Sequence, residues 1–259
     1  MVTTGTSDHT RSLAFEFVSI LPSNAGDRDW QLVADPNGNE YRALGMPLAY
    51  TILFAYFPRA LQRKERLLGT PDWVWNNKFD FVAKVAPEDI AAWHNSLERG
   101  LGAPNPMLEA MLQSALTDRC KLAFHRIPAK VKGLALVVGN PGPNPERLVK
   151  AGPYETVPDN AQEIPDNGRV VPVTSPDVPV LHFYKTTMKS LVAFLSKSGK
   201  LVEDRTGLTG IYDFALPRLS RDGDPSVDWD VGVLGLRFES IEAQTENIVI
   251  DQIERPSPN

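Results

Sequence analysis

Four aspartates, Asp222, Asp224, Asp228 and Asp230, fall within nine residues that also contain Gly223 and Pro225. Hard cations such as calcium take several carboxylate oxygens from a flexible turn, and like charges this close repel one another unless a cation neutralises them. The segment reads either as a calcium site or as an acidic loop wetted by solvent. It is not an EF-hand, because Val227 stands where that loop bends on glycine and Val233 where it supplies a bidentate glutamate. Asp204 precedes the Thr206-Gly207 turn. There a carboxylate either accepts hydrogen bonds from turn amides or serves as general base for water attacking an ester or lactone carbonyl. His125 and His182 lie in β-patterned runs and are candidate proton shuttles, with packed structural imidazoles as the alternative.

Several familiar constellations are missing from the sequence. The histidines are never spaced as His-x-His or His-Glu-x-x-His, so the zinc arrangement of many lactonases and proteases is not met. No Gly-x-Ser-x-Gly elbow occurs, and Gly139-Asn-Pro-Gly-Pro lacks the lysine and the following helix of a phosphate loop. Cys120 is the single cysteine, which excludes an intramolecular disulfide or a thiolate cluster. Its neighbours Arg119 and Lys121 would lower its pKa if it were accessible, whereas a place on an apolar helix face would make it a packing residue.

A formal charge of −5 and a pI near 5.5, with no basic stripe, argue against a nucleic-acid surface. The densest basic run, Arg59 to Arg66, is interrupted by Glu65 and reads as the solvated end of a helix. Met1–Arg11 is polar and lacks the apolar centre of a signal peptide, and no run is apolar for the ~18 residues that a membrane span needs. Oligomeric state is not legible in the sequence.

The elements that must position these groups alternate between strand and helix patterns. Leu13–Ile20 reads as a first strand. Leu48–Phe57, opened by Pro47 and stopped by Pro58, is a short helix apolar all round, either a core helix or the wall of a pocket for an acyl chain. Lys78–Val85 is a strand, and Pro87-Glu88-Asp89 starts a helix that ends before Gly100. Asn105 and Pro106 start the clearest helix, in which Leu108, Met111, Leu112, Ala115 and Leu116 make a core-facing stripe. Lys121–Arg126 and Gly133–Val138 are two β runs divided by a polar turn, as are Leu236–Glu242 and Asn247–Ile253. Val180–Lys185 is a strand and Thr187–Ser196 a helix. Leu201–Leu216 then reads as a β-hairpin about Gly207-Leu208-Thr209-Gly210.

Phe15-Glu16-Phe17, Phe79-Asp80-Phe81 and Tyr212-Asp213-Phe214 look like one strand signature used three times. The expected class is α+β, with mostly antiparallel strands, helices packed on one face and two similar α/β/β halves. Residues 1–138 form the first half and 181–259 the second. Nine of the 22 prolines fall between 139 and 180, which reads as a connection with an edge strand at Arg169–Thr174.

Five stretches carry a resemblance: Phe15-Glu-Phe-Val-Ser-Ile-Leu-Pro-Ser, Pro71-Asp-Trp with Phe79-Asp-Phe-Val-Ala-Lys, Met111 to His125, Val202 to Phe214, and Ile248 to Ser257. In order along the chain, they resemble a large soil-associated acidobacterial family of unknown function. Cys120 replaces the aromatic residue usual in that family and Gln252 a frequent histidine, while Asp222–Val233 looks less helical than the family pattern. The resemblance implies an extracytoplasmic setting, since members commonly begin with a signal peptide or anchor. It also implies an activity, the calcium-assisted hydrolysis of N-acyl-homoserine lactones by a soil-derived relative.

Two functions follow as expectations. One is a lactone hydrolase in which a cation at Asp222, Asp224, Asp228 and Asp230 polarises the carbonyl or its water, while Asp204, His125 or His182 moves protons. The other is a non-catalytic extracytoplasmic module that engages a peptide or partner through its proline-rich segment and sheet edges.

Overall fold

A computed structural model describes residues 13–24, 26, 30–97, 105–152, 156–164, 168–173, 179–196, 200–219 and 229–256. In chain order the first half carries β1 (Phe17–Pro22), β2 (Gln31–Ala34), β3 (Glu40–Pro47), α1 (Leu48–Tyr56), β4 (Leu67–Leu68), α2 (Asp72–Asn76), β5 (Lys78–Lys84), α3 (Ile90–Leu97), α4 (Pro106–Cys120) and β6 (Ala123–Val138). The second carries β7 (Val149–Lys150), β8 (Gln162–Glu163), β9 (Arg169–Val173), β10 (Val180–Thr187), α5 (Met188–Leu195), β11 (Val202–Asp204), β12 (Ile211–Pro217) and β13 (Leu236–Gln252). The fold is α+β and its strand pairing mostly antiparallel, as expected.

Three sheets are formed, in the orders β1-β5-β3-β2, β7-β12-β10-β9-β8 and β11-β6-β13-β4. The first two repeat one plan. In each, a strand with a register break runs straight into a helix: β3 breaks between Ala43 and Met46 before α1, and β10 between Phe183 and Thr186 before α5. Gly45 (φ 67°) and Lys185 (φ 47°) supply the left-handed residue at each break. An aspartate from the neighbouring strand receives the amide there, Asp80 for Gly45 and Asp213 for Lys185. Phe79-Asp80-Phe81 and Tyr212-Asp213-Phe214 are thus one signature used twice, whereas Phe15-Glu16-Phe17 leads into the edge strand β1, which begins at Phe17 rather than Leu13.

The third sheet interlocks the halves. β6 pairs antiparallel with β13 from Ala123↔Gln252 to Val138↔Leu236. β4 pairs in parallel with β13 at Ile248 and Val249, and β11 pairs in parallel with β6 at Leu134 to Leu136. Each half's short strand therefore lies on the other half's long one. The cores follow suit: Ile248 and Ile250 of β13 pack with Phe81, Trp93, Leu112 and Leu116, while Leu136 of β6 packs with Phe183, Leu191, Phe214 and Leu234.

Four readings of the sequence change here. The polar stretches inside β6 and β13 are not turns. They face each other as a two-stranded ribbon, in which polar side chains meet solvent and each other, as Lys130 does Glu242 at 3.3 Å. Leu201–Leu216 is not a hairpin either, because β11 joins β6 while β12 joins β10 and β7 in another sheet. The stretch 139–180 carries β7, β8 and β9. β9 is flanked by the two-residue β8, so Arg169–Val173 is not the sheet's edge. Arg66 is no solvated helix end. It is buried, and its Nη2 donates to Thr245 Oγ1 at 2.7 Å and to the Glu246 carbonyl, fastening the segment before β4 to β13.

Helix boundaries match local chemistry. The Asn105 side chain accepts from the Leu108 amide at 2.9 Å at the head of α4, and all five residues of its apolar stripe are buried. Thr187 caps α5 by accepting from the Ser190 amide at 3.1 Å. A 3-10 turn at Val231–Leu234 ends in Gly235 (φ 74°), just as α4 ends in left-handed Lys121 (φ 51°), and a long strand follows each. Only glycine suits Gly235, since a Cβ there would run into the carbonyl oxygen of Gly142.

Candidate functional site

One concavity is built on α1. Pro47 precedes the helix with φ −58°, and Leu48, Ala49, Ile52, Leu53 and Ala55 are buried. A helix this apolar keeps little of its surface for solvent, and α1 spends what is left on a cleft of about 630 Å3. Trp30, Leu32, Met46, Tyr50, Leu53 and Phe54 form apolar wall, whereas Arg59, Gln62, Glu109 and Gln113 gather where α1 ends and α4 begins. That volume suits one small organic ligand, and wall and polar end together suit an apolar tail with a polar head.

The polar end is ordered by the α1 C-terminus. Helix ends leave carbonyls without helical partners, and two side-chain amides serve them here. Gln113 Nε2 donates to the Ala55 carbonyl at 2.6 Å, and Gln62 Nε2 to that of Phe57 at 3.0 Å. Glu109 accepts from the Asn105 amide at 3.4 Å, tying the cleft to the cap of α4. Tyr56 lines the cleft and meets Phe124 edge-on at 4.8 Å. Burial holds its phenol above the usual range, against opposing pulls from a Thr117 hydrogen bond and the Arg126 charge.

Asp204, Asp230, His125 and His182 do not line this cleft. Asp204 Oδ1 accepts from the Thr206 amide at 2.9 Å and from its hydroxyl at 2.7 Å, the self-contained turn that was the alternative to a general base. His125 Nδ1 lies within hydrogen-bond distance of Asp251 Oδ1, at 2.8 Å, and both side chains are about half exposed. Successive strand residues face opposite ways, so this pair lies across β6 from Phe124, whose ring meets Tyr56. Asp204 pairs with Leu136, and at roughly 3.3 Å per residue the positions of His125 and Leu136 on β6 are about 35 Å apart. One active site cannot use both. His182 stands on β10 in a separate shallow groove with Tyr184, Asp213 and Arg147.

Of the acidic cluster, Asp222, Asp224 and Asp228 lie outside the described residues. Asp230 is described, and its Oδ1 accepts from the Gly232 amide at 2.9 Å. Among the described residues no three His, Cys, Asp or Glu side chains are grouped to hold a metal ion. Cys120 is fully buried, and burial pushes its thiol up to about 12 despite the opposing charge of Arg119. It is a packing residue, not a reactive one. Sequence reasoning missed the polar end of the cleft, because Gln62 and Gln113 come from separate segments. The wall left a signal, the all-round apolar character of α1.

An interlocked α+β duplication with an apolar cleft against one helix is thus the class that the fold defines. The chain belongs to the DUF3738 family, proteins of unknown function, whose pattern matches residues 49–253. No curated protein and no solved structure matches the chain. No helix among the described residues is long and apolar enough to cross a membrane.

Proposed function

We propose that this protein takes an amphiphile with a flexible acyl tail into the cleft along α1, and that the amphiphile is an N-acyl-homoserine lactone whose ring it opens. The cleft carries the first part, because its apolar wall and gathered polar end match a tail and a head. Each buried methylene contributes about 0.8 kcal/mol, so longer acyl chains bind more tightly until the wall is filled. The second part rests on the resemblance drawn from the sequence. Water adds to the lactone carbonyl, the ring C–O bond breaks, and the single product is an N-acyl-homoserine that carries both the freed hydroxyl and a carboxylic acid that releases a proton. Calcium, the cation that the resemblance implies, would polarise the carbonyl if Asp222, Asp224, Asp228 and Asp230 held it; Asp230 is outside the lining of the cleft, and its Oδ1 accepts the Gly232 amide. The same resemblance supports an extracytoplasmic location.

A second reading is non-catalytic binding of the same amphiphile. It is favoured by the occupation of the Asp204 and Asp230 carboxylates by turn amides and by the placement of the His125–Asp251 pair across the sheet from Tyr56. One experiment separates the two. The protein is titrated with N-dodecanoyl-homoserine lactone while heat and proton release are followed, first after chelation and then with calcium restored. Binding with calcium-dependent acid release supports the hydrolase, and binding without release supports the module. If no heat of binding appears and Phe54→Ala changes nothing, both readings fail. Where binding occurs, Phe54→Ala should weaken it by roughly tenfold or more.

A further inference from the structure

Two side chains of the cleft lack the partners that buried polar groups ordinarily find. Tyr41 on β3 and Thr51 on α1 both line it, and they are only 1% and 4% exposed. The Tyr41 ring is held in the core, stacked on Phe15 at 6.2 Å and edge-on to Phe81 at 5.7 Å. Neither hydroxyl donates or accepts a hydrogen bond among the described residues. Burial raises the phenol pKa with no opposing hydrogen bond, so the group stays a neutral donor. The duplicated plan shows that the fold does not require these hydroxyls. Gly45 and Lys185 mark one position of that plan, as Leu48 and Met188 do at the helix starts, and the same offset sets Tyr41 against Leu181 and Thr51 against Leu191. Both leucines pack in the second core.

A hydroxyl taken from water and left unpaired is costly, and one that lines a cavity recovers that cost when a ligand offers it an acceptor. The acceptor suited here is an uncharged oxygen, because a carboxylate brought against this apolar wall would lose its own hydration. Position along the cleft narrows the class further. Thr51 stands one turn before Ala55, whose carbonyl receives Gln113, so at 1.5 Å per residue the Thr51 position is about 6 Å from the polar end. In an acyl amphiphile whose head lies at that end, the linking carbonyl falls there, between head and tail. We propose that the Tyr41 and Thr51 hydroxyls donate to the acyl carbonyl of the ligand, so that the cleft selects tails joined through an amide or ester carbonyl over plain alkyl tails. This rests on the reading of the cleft as an acyl-chain site and does not depend on the lactone ring.

The test is a calorimetric titration of the full chain with 1-decanoylglycerol, an ester, and with 1-O-decylglycerol, the ether in which a methylene replaces the carbonyl, both below micelle-forming concentrations. The ester should bind roughly tenfold more tightly than the ether. Tyr41→Phe and Thr51→Val remove the hydroxyls and keep the shapes. Each should weaken ester binding by about fivefold and leave the ether unchanged. Tyr41→Phe should unfold at the same urea concentration as the native chain, since no hydrogen bond within the protein is lost; a destabilised variant would show a structural partner for the phenol and overturn its role. Equal affinity for ester and ether, or an unchanged ester-to-ether ratio in both variants, also overturns the proposal, while the cleft still stands as a site for alkyl tails. If neither glycerol compound binds, the carbonyl recognition falls, and the N-dodecanoyl-homoserine lactone titration decides the cleft reading by itself.

Discussion

The Asp213 carboxylate accepts the backbone amide of Lys185 at 2.6 Å, where Lys185 takes a left-handed φ of 47°. Its counterpart, Asp80 with Gly45 at 2.8 Å, has glycine at the left-handed position. That conformation costs an L-residue roughly 1–2 kcal/mol, while glycine loses about 0.5–1 kcal/mol more backbone entropy on folding. Lys185→Gly should therefore stabilise by about 0.5–1 kcal/mol, and Gly45→Ala should destabilise by about 1–2 kcal/mol. Asp213→Ala leaves the amide without its acceptor and should cost about 1–3 kcal/mol. Urea denaturation reads all three; a destabilised Lys185→Gly would show that the lysine side chain contributes more than its backbone strain.

Arg66 tests the interlock of the halves. Its guanidinium is buried beside the Phe57 ring and reaches Thr245 and Glu246 on β13, with Nε lacking a hydrogen-bond partner. Desolvation holds its pKa below the ordinary arginine value. Arg66→Ala removes packing and leaves the Glu246 carbonyl without this donor, so a loss of about 2–4 kcal/mol is expected. Thr245→Val should cost only about 1 kcal/mol. A coupling near zero in the double variant would mean that the Thr245 bond is not part of the fastening.

Two buried acids set the response to alkali. Burial pushes the Cys120 thiol up to about 12 and the Tyr41 phenol well above its usual range. In the unfolded chain these groups ionise near about 8.5 and 10, while the native forms stay protonated. Stability is therefore unaffected below about pH 8. It then falls as pH rises, by up to about 1.4 kcal/mol per pH unit for each group. Cys120→Ala should flatten the first part of this decline, between about pH 8.5 and 10. The native thiol should also resist a disulfide reagent at pH 8 and react once the chain is unfolded; fast native labelling would contradict its burial.

Asp204 separates the functional readings. As the acceptor of its own turn it contributes about 1 kcal/mol, so Asp204→Ala should lower the melting temperature by only a few degrees. Acyl-ligand binding in the α1 cleft should be unchanged by it. Abolished lactone turnover in a variant that still binds and folds would instead return Asp204 to the role of general base.

The sequence by itself determined what neighbours in the chain decide. Asn105-Pro106 and Thr187 begin helices because a side-chain oxygen and a nearby amide settle the cap between them. The stripe from Leu108 to Leu116 announces which side of α4 is buried, and the unbroken apolar run of α1 anticipated the wall of the cleft. The α+β class follows from such local patterns.

Only the tertiary structure decided partners. Val202–Asp204 and Ile211–Pro217 look like the arms of a hairpin, yet each hydrogen-bonds in a different sheet, the first beside Leu134 to Leu136 and the second beside Val180 to Thr187. The polar residues of β6 and β13 read as turns until each is seen across from the other, more than a hundred positions away in the chain. The polar end of the cleft joins Gln62 to Gln113 in the same manner. A strand's periodicity tells which face is buried and nothing about which strand lies beside it, since every backbone offers the same donors and acceptors.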